Sequence, residues 1–98
     1  MRKGIKKFDI SIETAVFTTK YVLDNKKTIT HVVHEIDDGD WQFFSNDSFE
    51  NFEEVARIVG FQEILNLDNS LIEITDLPCG FFATRKDKFD KWTIKEDK

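Results

Sequence analysis

The chain has 98 residues, enough for one domain with a core of its own. Ten Phe and two Trp within an apolar fraction of 40% point to an aromatic core, and 34% charged residues point to a well-solvated surface. No stretch approaches the roughly 20 consecutive apolar residues of a membrane-spanning helix, and the net charge of −5 is concentrated in an acidic middle of the chain that disfavours nucleic acid as a partner.

The start, Met1-Arg2-Lys3-Gly4-Ile5-Lys6-Lys7, is basic like the opening of a signal peptide, but no apolar region follows. We therefore expect no secretion signal. Phe8-Asp9-Ile10-Ser11-Ile12 alternates with period two, as a half-buried strand does. Residues 15–23 are rich in β-branched and aromatic side chains and read as a second strand. Asp24-Asn25-Lys26-Lys27 is a polar turn. Residues 28–36 form the next strand, with Ile29, Val32, Val33 and Ile36 as its apolar members. Asp37-Asp38-Gly39-Asp40 is another turn, with Gly39 suited to a positive φ. Trp41 to Phe44 resumes an aromatic strand, so the first half predicts an antiparallel meander.

The pattern then turns helical. Phe52, Val55, Ala56 and Val59 fall at i, i+3, i+4 and i+7, a helix stripe that Asn51 and Glu54 would cap and Gly60 would end in the left-handed region. Phe61, Ile64 and Leu65 start a second helix. Asp68-Asn69-Ser70 can cap a third over residues 71–74, stopped by Leu77-Pro78. Residues 79–85 and 91–94 read as closing strands, with Phe89 and Trp92 anchoring the tail. The predicted class is α+β, a largely antiparallel β-sheet with short helices packed on one face, in a single domain over residues 1–98.

Charge is unevenly placed. Residues 35–76 hold twelve Asp or Glu against Arg57 alone, a balance of −11, between ends at +4 (residues 1–27) and +2 (residues 77–98). An acidic block of this kind favours a basic protein partner, in encounter rate and in choice. The bland alternative is a solvated acidic surface without a partner.

Several constellations bear on chemistry. Glu35, Asp37, Asp38 and Asp40 supply oxygens for a hard cation, but calcium-loop spacing fails: from Asp37 the third, fifth and twelfth positions are Gly39, Trp41 and Ser48. A hairpin turn whose Asp side chains bond local N–H groups is the simpler reading. His31, His34 and Glu35 read H-x-x-H-E, which is neither zinc-protease motif, and on a strand the two histidines point to opposite faces. We expect no metal and no cofactor. Cys79 cannot form an internal disulfide, which suits a reduced, cytoplasmic setting. As a nucleophile it would need a base beside it, so a buried small side chain is the default. Arg85 ends the apolar run Gly80-Phe81-Phe82-Ala83, where it either pairs with an acid or grips a ligand's carboxylate or phosphate. Trp41, Phe43 and Phe44 place aromatics on both faces of one strand, which means either double coverage or an exposed recognition surface. With no phosphate loop, nucleophile elbow, zinc ribbon or dinucleotide fingerprint, we expect no enzyme.

The blocks Ala15-Val16-Phe17-Thr18-Thr19 with Tyr21-Val22, His31-Val32-Val33-His34-Glu35, Asp38-Gly39-Asp40-Trp41-Gln42-Phe43-Phe44-Ser45, Asp68 with Ser70-Leu71, Asp76-Leu77-Pro78-x-Gly80-x-x-Ala83-x-Arg85, and Trp92 lie in a recognisable order. Together, over about residues 15–92, they resemble small bacterial domains grouped with polymorphic-toxin immunity proteins, immunity family thirty-three. Trp-Gln-Phe-Phe and Leu-Pro-x-Gly are the most specific parts. Cys79 departs from the larger apolar residue commoner there, and the loop before Trp41 is shorter. The resemblance implies a protein that binds and blocks a cognate toxin in the producing cell, with no catalytic residues to carry over. Many nucleic-acid-cutting toxins are basic, which fits the acidic block. The partner-binding residues expected on these grounds are Asp37, Asp38, Asp40, Trp41, Glu50, Glu53, Glu54 and Arg85, against a basic protein toxin. Two other readings stay open: a small-molecule site near His31, Trp41 and Arg85, and a structural module, monomeric or homodimeric through an exposed edge strand.

Overall fold

A computed structural model describes residues 12–96. The strand expected at residues 8–12 lies outside the described residues except for Ile12, which sits in a turn. In chain order the elements are β1 (Ala15–Thr19), α1 (Lys20–Leu23), β2 (His31–His34), β3 (Trp41–Phe44), α2 (Phe52–Val55), β4 (Ala56–Gly60), α3 (Phe61–Leu67), a 3₁₀ helix (Asn69–Ile74), β5 (Phe81–Thr84) and β6 (Thr93–Glu96). The six strands form one sheet in the order β4-β1-β3-β2-β5-β6, antiparallel throughout except where β1 runs parallel to β3. The class is α+β, as the sequence predicts.

Four local expectations are corrected. The β-branched run at residues 15–23 is a strand only to Thr19. There the Thr19 side chain accepts the Val22 N–H at 3.4 Å and starts a single helical turn, α1. The helix stripe over residues 52–59 is helical for one turn only. Ala56, Arg57, Ile58, Val59 and Gly60 instead pair residue for residue with β1, from Thr19↔Ala56 to Ala15↔Gly60. A five-residue ladder that satisfies backbone groups of β1 outweighs a four-residue amphipathic pattern, and Ile58 and Val59 are β-branched. Gly60 accordingly takes φ −75° and ψ 150°, extended rather than left-handed. The meander holds for β2 and β3 but not for β1, because α1 and the segment after it carry the chain past β3 before β2 begins. Parallel contact of β1 with β3 is fastened by Thr18 Oγ1, which donates to the Phe43 carbonyl at 2.8 Å within the core. Finally, the strand expected over residues 28–36 is confined to His31–His34, which leaves Ile36 in the turn beyond it and 70% exposed, and Phe89, expected to anchor the tail, is 94% exposed.

Register assigns each strand residue to a face. Val32 lies between Phe43 and Ala83, and Val16 pairs with Val59. These residues, with Trp41 and Phe81, make the inner face. Phe61 and Ile64 of α3 and Leu71 and Ile74 of the 3₁₀ helix close over it, with Val22, Ile29 and Leu77 filling the ends. Phe43 stacks between Trp41 and Phe61, at centroid distances of 6.2 and 5.8 Å. The outer face carries Phe17, paired with Gln42, together with Phe44, Val33, Phe82 and Ile58.

Two glycines hold positive φ. Gly39, at +76°, turns the β2–β3 hairpin, where its N–H donates to the Glu35 carbonyl. Gly80, at +85°, lets its N–H reach the His34 carbonyl at 2.7 Å. A Cβ on Gly39 would meet open space, and one on Gly80 would lie 3.1 Å from the exposed end of Ile36, which can move aside. Gly39→Ala and Gly80→Ala are therefore each expected to cost about 1–2 kcal/mol, mainly from the left-handed backbone. A lower denaturant midpoint at unchanged slope is the readout, and an undiminished midpoint would contradict the turn conformation.

Candidate functional site

Arg85 belongs to the interior. Its side chain is 1% exposed, and its Nη2 donates to Asp68 Oδ2 at 2.6 Å. Nε donates to the Ile29 carbonyl and Nη1 to Ser70 Oγ, both at 3.0 Å. The Trp92 ring covers the guanidinium at 4.2 Å. Asp68 meanwhile caps the 3₁₀ helix by accepting the Ser70 N–H and hydroxyl. Burial by itself pushes the Asp68 carboxyl up, but the bonds from Ser70 and Arg85 outweigh it and hold the group below its ordinary value. Nη1 also donates to the Lys88 carbonyl at 3.4 Å, so each guanidinium nitrogen is engaged inside the fold and Arg85 is a strut joining β5, the 3₁₀ helix and the segment before β2.

The expected acidic surface divides. Asp37, Asp38 and Asp40 sit in the hairpin turn before β3, where Asp38 Oδ1 accepts the Asp40 N–H at 3.1 Å. Partial desolvation and the neighbouring Asp38 carboxylate push Asp40 up. Glu50, Glu53 and Glu54 lie past the opposite end of β3, in the loop before α2 and on α2 itself. Four residues of strand, about 10 Å, separate the two groups, so they do not form one patch. Trp41, between them in sequence, is 4% exposed and stacks on His34, so it cannot touch a partner. Of the eight residues expected to bind, Trp41 and Arg85 are removed by burial, and the remaining six fall into two separate clusters.

The sequence offered Phe44 as part of an exposed recognition surface but did not single out the aromatic neighbours it meets on the outer face. Phe44, Phe49 and Phe52 meet at centroid distances of 5.5 to 6.0 Å, and Phe17 adds an edge contact to Phe52 at 6.3 Å. None of the four is buried, and Phe49 is 37% exposed. Ile58, 65% exposed on β4, extends this apolar strip to the sheet edge. A shallow groove borders the cluster, lined by His31, Val33, Phe44, Ser45, Asn46 and Asp47. Glu50, Glu53 and Glu54 are exposed and interleave in sequence with Phe49 and Phe52, so carboxylates rim the aromatic cluster. On the far side of the face stands Lys95, opposite Phe82. The signal was present in the spacing of Phe17, Phe44, Phe49 and Phe52, but it becomes a surface only once β1 and β3 are known to be neighbours.

A second pairing also escaped the sequence. His34 Nε2 lies 3.4 Å from Cys79 Sγ, and His34 Nδ1 lies 2.7 Å from the Leu77 carbonyl. Cys79 is exposed rather than buried. Among the described residues, no group of three or more His, Cys, Asp or Glu is arranged to hold a metal ion. A small cleft lined by Val22, Ile29, Leu67, Asp68 and the lysines Lys26, Lys27 and Lys88 is the one adjoining the Arg85 strut. Its carboxylate is committed to Arg85, and of the residues expected to line a small-molecule site, His31, Trp41 and Arg85, the last two are buried.

No family model, curated protein or solved structure matches the chain. No helix among the described residues is long and apolar enough to cross a membrane.

Proposed function

We propose that this protein is a non-catalytic binding module that docks a basic protein on its outer aromatic face, in the manner of the bacterial immunity proteins its sequence resembles. The observation that carries the reading is the half-buried cluster Phe17, Phe44, Phe49 and Phe52 rimmed by exposed Glu50, Glu53 and Glu54. Aromatic anchors at the centre of a patch supply most of the energy of a protein contact, and charges at its rim steer the encounter. The −11 balance of residues 35–76 sets the sign of the partner, which is cationic. A toxin neutralised in the cytoplasm of its producer is the partner that the sequence resemblance favours.

The test begins with capture on the tagged protein in its native cells at low and high salt. The basic protein so found is then purified and titrated. Reversal of Glu50, Glu53 and Glu54 to Lys is expected to weaken binding by at least roughly tenfold, mostly through the association rate. At physiological ionic strength, reversal of Asp37, Asp38 and Asp40 is expected to change it by less than about threefold, since the Debye length of about 8 Å is then shorter than the length of β3. Equal effects of the two reversals would remove the aromatic face as the docking site.

A further inference from the structure

We propose that Cys79 and His34 form a base-assisted thiol that captures small disulfides as a mixed disulfide on the protein surface. Three groups are arranged in series. The Leu77 carbonyl can only accept a hydrogen bond, so the 2.7 Å contact places the imidazole proton on Nδ1. Nε2 then carries a lone pair, and it faces the Cys79 thiol at 3.4 Å. This is the order of nucleophile, base and orienting acceptor that activates thiols and hydroxyls elsewhere.

The parts are held in place. His34 lies flat against Trp41, with ring centroids 4.0 Å apart and an interplanar angle of 21°. The Gly80 N–H donates to the His34 carbonyl at 2.7 Å, so the loop carrying Cys79 is tied to β2 on both sides of the sulfur. Gly80 achieves this at φ +85°. Cys79 itself is exposed, so a reagent can reach the sulfur.

In the reaction, the S–H bond of Cys79 breaks and its proton passes to His34 Nε2. The sulfur attacks one sulfur of the disulfide R–S–S–R, forming Cys79–S–S–R. The other sulfur leaves as RS⁻ and takes the proton from Nε2 as RSH. One disulfide is consumed and one is formed, so no outside oxidant is required. The chain contains no second cysteine to displace R, and the adduct persists until an external thiol removes it.

Charge selects among disulfides. β3 and β5, which flank β2, carry no titratable side chain. The charged residues that adjoin the pair in chain or register, among the described residues, are Glu35, next to His34; Asp37, Asp38 and Asp40 in the following turn; Asp76, next to Leu77; and Glu96, across from Phe81. All are acids, so neutral and cationic disulfides are favoured over anionic ones.

The probe is 4,4′-dithiodipyridine, which is neutral and reports each exchange by absorbance. At about pH 6.5 the natural chain is expected to react roughly tenfold faster than His34→Gln, the low end of what a positioned base contributes, and near pH 9.5 the two converge within about twofold. Cys79→Ser gives the background. A structural role for His34 would not bend the pH profile in this way. If His34→Gln fails to fold, the natural chain decides alone: below about pH 8 its rate should climb by clearly less than the tenfold per pH unit of N-acetylcysteine. Coincident profiles for the chain and the free thiol, or for the chain and a folded His34→Gln, would overturn the proposal. A cystamine adduct on Cys79, found by mass spectrometry and formed faster than that of an anionic disulfide of equal intrinsic reactivity, is the expected selectivity, and the reverse order would refute it.

Discussion

Asp68→Ala is expected to destabilise the fold by about 3–5 kcal/mol, the range for breaking a buried ion pair from one side. The Arg85 side chain is 1% exposed and its guanidinium cannot shed its proton, so loss of Asp68 leaves a buried charge facing neutral acceptors, the Ile29 and Lys88 carbonyls and Ser70. The same substitution removes the cap of the 3₁₀ helix. In a domain of this size the melting temperature should drop by roughly 15–30 °C. Replacing both partners, as Asp68→Leu with Arg85→Met, should recover a large part of the loss, because no unpaired charge remains. A loss below about 1 kcal/mol would mean that the pair is solvated in solution. The pH dependence has a definite sign. The Asp68 carboxyl titrates below its unfolded value of about 3.9, so its contribution is complete above that value and disappears as pH falls through the folded one. Asp68→Ala should therefore have a flatter acid limb than the natural chain, measured as denaturant midpoint between neutral pH and about pH 2.

Phe43 and Phe44 are consecutive, and the two substitutions should separate cleanly. Phe43 is fully buried between Trp41 and Phe61, and Phe43→Ala is expected to cost about 3–5 kcal/mol as a core cavity. Phe44 is half-buried on the outer face against Phe49 and Phe52. Phe44→Ala is expected to cost only about 1 kcal/mol of stability, yet to weaken the basic partner's binding by roughly thirtyfold or more, as loss of a central aromatic anchor does. Unfolding curves and partner titrations on the two variants check this. A Phe44→Ala chain that binds unchanged would place the interface elsewhere.

Period-two and period-three-or-four patterns were readable wherever neighbours in the chain settled the structure. Thus β3, the hairpin turn at Gly39, α3 and the Asp68 cap follow directly from local residues. Residues 56–60 show where that reading ends. Ala56 and Val59 fit a helix stripe, yet β1, distant in sequence, supplies unpaired edge groups that only an extended segment can meet. The site was less legible than the fold for a related reason. Arg85 was recognised as either a strut or a grip, and its position beside Asp68 decides for the strut. The acidic block is contiguous in sequence but split in space, because β3 runs between its two halves. The contact of Cys79 with His34 joins β2 to the loop before β5, and no spacing rule links two such positions. The Leu77 carbonyl that orients the imidazole is a backbone group, which no residue pattern displays.

The place of β1 in the sheet also constrains how the chain acquires its structure. Its neighbours are β3, where Phe17 meets Gln42, and β4, where Ala15 meets Gly60. Both contacts close long stretches of chain, whereas β2–β3 and β5–β6 join strands close in sequence. Loop closure on that scale slows folding, and the β2–β5 contact, Val32 with Ala83, encloses more chain still. On a ribosome, β1 has no strand partner until residue 44 of β3 has emerged, and its other edge stays open, and in need of protection, until residue 60 has followed.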